Sequence, residues 1–161
     1  MIIELNFILG FFRVEASLAP NSYLLVPQCQ LQGGFALCYW FDPNPASGDW
    51  VFTIGGYHPQ FTAPAYYPTP KRIGISFQLS SAINVTGETY FAICPKAVMG
   101  GGRLHLEVTI PLISAHLDAF ADFLIMFKPF HYIADLGVDV GVVRILAFTC
   151  TSLYLPPTDS Q

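Results

Sequence analysis

Ile113-Ser-Ala-His-Leu-Asp-Ala-Phe-Ala-Asp-Phe-Leu-Ile-Met-Phe127 is the run whose backbone decides what kind of molecule this chain makes. Leu117, Phe120, Ala121 and Leu124 recur at helical spacing, whereas Leu117, Ala119, Ala121, Phe123, Ile125 and Phe127 recur at every second position. The residues C-terminal to the run favour the strand. Pro129 lies just beyond it, and Phe130, Tyr132 and Ala134 resume the alternation. The segment is therefore expected to be the first arm of one long β-hairpin, with a minor helix over 113–127 as the alternative.

Outward from that run the period of two returns. Ile73, Ile75, Phe77 and Leu79 alternate with Gly74, Ser76 and Gln78, and Leu104, Leu106, Val108 and Ile110 alternate with Arg103, His105, Glu107 and Thr109. Leu136, Val138, Val140 and Val142 do the same over Gly137, Asp139 and Gly141. Each reads as a strand with one buried face. Ile3–Leu9, Phe12–Leu18, Tyr23–Val26, Phe35–Phe41, Trp50–Ile54, Ile83–Val85 and Thr89–Ile93 are further candidates, rich in residues that suit a pleated surface.

Turn formers separate these runs at short intervals: Pro20-Asn-Ser22, Gly33-Gly34, Asp42 to Asp49, Gly55-Gly56, Gly87 and Gly100-Gly-Gly102. Short connections make sequence neighbours pair antiparallel. The expected fold class is thus all-β, a mostly antiparallel meander or open sheet within a larger β-structure. The one long connection, Tyr57 to Pro70, carries four prolines that forbid a ladder. It also carries Tyr57, Phe61, Tyr66 and Tyr67, through which it is expected to pack as an ordered loop. Residues 1–155 are expected to be a single β-rich domain or domain fragment, and 156–161 a disordered tail.

Hydrophobic residues make up 53% of the 161 positions and charged residues 11%, against about 45–50% and about 25% in ordinary soluble domains. Too few charged side chains remain to wet every outer face. Some face or edge is therefore expected to be covered by the rest of a larger polypeptide, by a protein partner or by lipid, and open strand edges offer a route to oligomers. The net charge of −4 is scattered singly and builds no electropositive track, which argues against nucleic acid. No run approaches the roughly 20 apolar residues of a membrane helix. Glu4 stands where a secretory signal would be basic. Phe35–Phe41 and Ile145–Thr149 are apolar on both faces, which keeps a lipid-associating sheet open as a reading. Cys29, Cys38, Cys94 and Cys150 have no metal or redox spacing and are expected to be reduced, buried thiols.

Few residues offer chemistry. His58, in Gly55-Gly-Tyr-His-Pro59, sits where two glycines permit a sharp bend, and its ring could serve a cleft as base or ligand. With no acidic neighbour, a hydrogen-bonded scaffold role is the stronger reading. If 113–127 is a strand, His116, Asp118 and Asp122 share its polar face, and His131 and Asp135 could approach across the hairpin. Such a histidine–carboxylate group suits metal binding or acid–base work. No spacing here matches an established metal pattern, so a solvated strand face is favoured and no metal or other cofactor is assigned. Gly100-Gly-Gly-Arg103 lacks the Lys-Ser/Thr of a phosphate loop, and Lys71-Arg72 reads as a solvated strand entrance. Tyr39, Trp40, Phe41, Trp50, Phe52 and Tyr57 could form a stacking platform, although aromatics at alternating positions more often belong to a core.

One longer pattern runs through the chain. Gly33-Gly-Phe-Ala-Leu37 with Tyr39-Trp-Phe41, then Gly48-Asp-Trp-Val-Phe-Thr-Ile-Gly-Gly-Tyr-His-Pro59, Tyr67-Pro68, Arg72-Ile-Gly74, Tyr90-Phe-Ala92, Gly101-Gly-Arg-Leu104, Ala121-Asp-Phe-Leu124 and Lys128-Pro-Phe130 occur in order. Over roughly Glu15 to Val142 this string resembles the domain-of-unknown-function family DUF 6603. The resemblance implies a β-rich region inside much larger proteins of fungi and bacteria, with no established activity or catalytic residues. Cys94 departs from the family pattern, where threonine is commoner, and the stretch after Val142 is expected to be unrelated, as in a truncated or shifted reading frame. The sequence thus leans away from an enzyme and toward a non-enzymatic β-module for structure or interaction within a larger protein or assembly. A lipid- or membrane-associating sheet, and a hydrolase or metal-dependent enzyme built on its histidines and aspartates, are the alternatives.

Overall fold

The computed structural model describes residues 1–144. They form one all-antiparallel sheet of ten strands. These are β1 (Ile2–Asn6), β2 (Phe11–Ser17), β3 (Cys29–Gln32), β4 (Gly34–Trp40), β5 (Trp50–Ile54), β6 (Ile73–Ser80), β7 (Ile83–Cys94), β8 (Ala97–Ile110), β9 (Ile113–Phe127) and β10 (Phe130–Arg144). The order across the sheet is β1-β2-β4-β5-β7-β8-β9-β10. β7 divides the sheet: its last residues pair with β5, its earlier ones with β6, and β6 in turn carries β3. The ambiguous run Ile113–Phe127 is a strand throughout, paired without a break to β10 from Ile113↔Arg144 to Phe127↔Phe130. Among the described residues there is no helix, so the helical alternative over 113–127 is excluded.

Three local expectations are corrected. Tyr23–Val26 is not a strand: only Tyr23 makes a bridge, to Gln30, and the strand begins at Cys29. Here Leu25 takes φ +65° and Cys29 N–H donates to the Val26 carbonyl, so the chain before and after Pro27 turns tightly instead of extending. Gly87 does not separate two strands, because Ile83 to Cys94 is continuous β7. Gly100-Gly-Gly102 is not a turn either; it lies inside β8. A Cβ at Gly101 would collide with the Asp122 carboxylate and the Tyr90 ring, so the missing side chain lets its neighbours fold over the backbone.

Residues directly opposite in register share a face, which sorts the sheet into two very different surfaces. One row runs Ile3, Val14, Leu37, Phe52, Ile93, Val98, Ile125, Tyr132, apolar at every strand of the path from β1 to β10. The adjacent row on the other face runs Ala36, Thr53, Ala92, Met99, Leu124, Ile133. The second face holds the core: Cys38, Trp40, Val51, Tyr90, Ala92, Cys94, Ala97, Met99 and Leu124 are buried there under Tyr67, Tyr57 and Phe61. Those rings belong to the Tyr57–Pro70 connection, which packs as an ordered lid, as expected. Gly55 (φ +72°) and Gly56 (φ +88°) turn the chain into it, and the buried Thr53 hydroxyl donates to the Gly56 carbonyl at 2.7 Å.

The alternating strands therefore form, but their apolar sides do not become the expected buried face. Leu136, Val138, Val140 and Val142 are 80, 66, 65 and 69% exposed. From Phe130 to Val142 on β10, from Ile113 to Phe127 on β9 and from Val98 to Ile110 on β8, no charged residue interrupts that face. Stability rests on the other side. Leu124→Ala, which empties a site 1% exposed, is expected to cost about 2–5 kcal/mol. In the monomeric chain Leu136→Ala is expected to stay within about 0.5 kcal/mol of the parent. Denaturant unfolding of the two variants checks the contrast.

Candidate functional site

The core occupies one end of its face; the other end is polar and folds into a groove of about 1110 Å³. Gln30 and Gln32 of β3, Ser76 of β6, Glu88 of β7, Arg103 of β8 and Asp118 of β9 are among its lining residues. Strands far apart in the order line one groove, so the polar face is the concave one. Register stacks its charged residues in rows: Glu107, His116, Gly141; then His105, Asp118, Asp139; then Arg103, Phe120, Gly137; then Gly101, Asp122, Asp135. His105 Nδ1 lies 2.6 Å from Asp118 Oδ1, and His116 Nε2 lies 3.2 Å from Asp139 Oδ2. One ligand atom each from His116, Asp118 and Asp139 falls within 4.8 Å of the others.

Sequence reasoning placed His116, Asp118, Asp122, His131 and Asp135 on one polar face, and the strands do carry them there. Only His116 and Asp118 join one histidine–carboxylate group. Asp122 is drawn instead to Tyr90, whose hydroxyl donates to Asp122 Oδ1 at 2.7 Å. Asp135 faces Asp122 across the ladder. His131 is opposite Met126, exposed, and roughly 30 Å along β10 from the His116 end at the usual strand rise. The partners that complete the group, His105 and Asp139, were missed as site residues. The alternation of β8 and β10 gave their face, but only the pairing register shows which row they join.

A second, smaller cavity of about 160 Å³ sits beside the groove, lined by Pro59, Arg72, Glu88, Tyr90, Arg103 and Asp122 among others. Arg72 is not solvated as its place after the proline-rich loop suggested. Its guanidinium lies 3.8 Å from the centre of the Tyr90 ring, and Nη2 donates to the Tyr57 carbonyl at 2.7 Å, which ties the lid to the sheet. Nη1 is buried without a partner among the described residues. Burial, then the bond to Asp122, lifts the Tyr90 phenol above its ordinary pKa.

His58 is 3% exposed and lines neither cavity. Its Nδ1 accepts from the Gln60 N–H at 3.1 Å, its backbone N–H donates to Met99 Sδ at 3.3 Å, and Nε2 has no partner among the described residues. The ring stands edge-on to Tyr90 at 6.4 Å. This geometry is that of a bend held against the core. The aromatic group is likewise divided: Trp40 and Tyr57 pack in or against the core, while Tyr39, Trp50 and Phe52 lie in register on the opposite face. Cys29, Cys38 and Cys94 are free and buried, and burial pushes the Cys38 thiol up to about 11, which keeps it protonated and unreactive. Cys150 and the expected strand Ile145–Thr149 lie outside the described residues, as does the expected tail.

Asp49 is a structural hub that the sequence did not single out. Its carboxylate accepts from Tyr66 at 2.7 Å, Tyr67 at 2.9 Å and the Trp50 N–H at 2.9 Å, while Tyr67 stacks on Trp40 at 5.5 Å. The bond to Asp49, then burial, pushes the Tyr66 phenol from 10.0 up to about 12, and burial first, then the same carboxylate, lifts Tyr67 well above its ordinary value. A phenol with a raised folded pKa binds its proton more tightly in the fold. Its contribution is complete below about pH 10 and is lost as the pH climbs through about 12. Urea unfolding stepped through that window is expected to show falling stability, and Asp49→Ala, less stable at neutral pH, is expected to show a shallower decline.

Fold and site together define an open antiparallel β-module with, among the described residues, its core on one face and a polar, concave groove beside it. The chain belongs to a family of unknown function (DUF6603), whose model matches residues 1–155. The match extends past Val142, so the stretch expected to be unrelated is family sequence as far as residue 155. No curated protein and no solved structure matches the chain.

Proposed function

We propose that the chain is a non-enzymatic β-module that assembles with further β-structure through its bare apolar face and its long outer strand. The observation that carries this reading is β10. It has fifteen residues, a ladder to β9 without a bulge and, among the described residues, no partner on its outer side. Natural edges are protected by shortness, bulges, lysine or proline. The opposite edge, β1, has five residues and carries Glu4, whereas β10 has only Asp135 and Asp139 as charges before Arg144. Backbone groups along such an edge need hydrogen-bond partners, which another strand supplies and an acyl chain does not. A neighbouring β-layer satisfies the edge and the face together.

The test is the state of the purified chain in solution. The parent is expected to self-associate or to co-purify with a bound polypeptide, as measured by sedimentation. Leu136→Lys with Val140→Lys is expected to leave a smaller species with unchanged far-ultraviolet circular dichroism. A parent that is monodisperse and monomeric at high concentration, with nothing bound, contradicts the proposal.

A lipid-associating sheet is the second reading, favoured by one specific observation. Phe127, Phe130 and Tyr132 gather at one end of the charge-free face, the position that aromatic rings take at a membrane interface. It is expected to show as flotation of the chain with anionic and neutral liposomes at moderate salt; protein that remains wholly in the soluble fraction removes it.

A further inference from the structure

We infer that His116, Asp118 and Asp139 form a binding site for one divalent first-row transition-metal ion of the zinc type, at the rim of the polar groove. Three observations carry this. Asp118 and Asp139 stand directly opposite each other on paired strands, as Asp122 and Asp135 also do; like charges so placed are destabilising, and at Asp118 and Asp139 an imidazole stands beside the pair to complete a ligand set. His116 Nε2 is 3.2 Å from Asp139 Oδ2, close to the separation of about 3.4 Å that two donors adopt when each is about 2.0–2.1 Å from a shared tetrahedral ion. Asp118 is itself oriented by His105 at 2.6 Å, the outer-shell bond by which ligating carboxylates are held.

The backbone also makes room for this arrangement. A Cβ at Gly141 would collide with the His116 ring. Its absence lets the imidazole lie across β10 toward Asp139, one register row away. The neighbouring Gly137 admits Phe120 in the same manner, which closes the side of the site toward Asp122. Glu107, opposite His116 on β8, is the nearest further carboxylate in the row. One imidazole and two carboxylates suit zinc, cobalt or nickel over magnesium and calcium, which prefer oxygen alone. Because the ligands come from β9 and β10, the bound ion clamps the outermost hairpin. That role is independent of what covers the apolar face.

Zinc and cobalt chlorides are the probes. Calorimetric titration of the full chain is expected to give one zinc ion per chain in roughly the micromolar range, and zinc is expected to raise the melting temperature by mass action. Cobalt is expected to give visible absorption of a low-coordinate nitrogen–oxygen site. Asp139→Asn and His116→Ala, both on exposed or half-exposed side chains, are each expected to weaken zinc binding at least about tenfold and to abolish the thermal shift. Gly141→Ala is expected to weaken it by displacing the imidazole. His131→Ala, which removes the remote histidine of β10, is expected to bind as the parent does. Absence of binding at millimolar zinc overturns the inference. So does binding that survives unchanged in the His116→Ala, Asp139→Asn double variant, since the ion is then held elsewhere. Circular dichroism of each variant separates loss of the site from loss of the fold, and neither result depends on the state of association.

Discussion

The register of β8 on β9, from Ile110↔Ile113 to Ala97↔Met126, is the constraint on which the rest of the structure depends. It places Met99 against Leu124 beneath the lid and, by the same alternation, leaves Leu104, Leu106 and Val108 on the opposite side. A slip of one residue would reverse both surfaces. It would send Leu124 outward and bring Phe123 and Ile125 under Tyr67 and Phe61, where Gly101 could no longer receive the Asp122 carboxylate. The short connections Pro111-Leu112 and Lys128-Pro129 hold this register at both ends of β9.

The sequence made the class of fold legible because the strands of β6, β8 and β10 alternate over long stretches and Pro129 separates β9 from β10. It did not reveal which face would be buried. Alternation says that one side is apolar; it does not say that anything covers it. In β10 the apolar side is uncovered among the described residues, while the buried face of the sheet is built from residues such as Ala36, Thr53, Ala92 and Met99 that carry no strong pattern of their own. Burial there comes from the lid, and the lid is placed by Gly55 and Gly56, Arg72 on Tyr90, and Asp49 on two tyrosines. The contacts of Arg72 and of Asp49 join residues remote in sequence. Gly87 and Gly100 to Gly102 do not act as turns for a related reason: in these strands glycine makes room for backbone or side-chain atoms of the neighbouring strands, a demand that is visible only once the strands are paired.

The candidate site was half legible. Alternation within β9 sufficed to put His116 and Asp118 on one face, and the same alternation put Asp122 there too. What separated them was the environment supplied by other strands. The Tyr90 hydroxyl draws Asp122 into the wall of a small cavity, whereas His105 and Asp139 gather around Asp118. His131 shares its residue type with the site histidines, yet its register opposite Met126 removes it from the group altogether.

The two faces carry opposite physical demands, and this links them. A ten-stranded sheet whose core lies under one lid has little to hold its far end, where β8, β9 and β10 run on beyond the buried residues with an apolar side exposed and a polar side lined by facing carboxylates. Backbone hydrogen bonds alone contribute modestly there, because water competes for the same groups. Two features of the far end stand without cover among the described residues: the apolar convex side, and the facing carboxylates of Asp118 and Asp139 on the concave side. His105 and His116 each hydrogen-bond one of those carboxylates, and Gly141 is the residue that allows the second of these bonds to form.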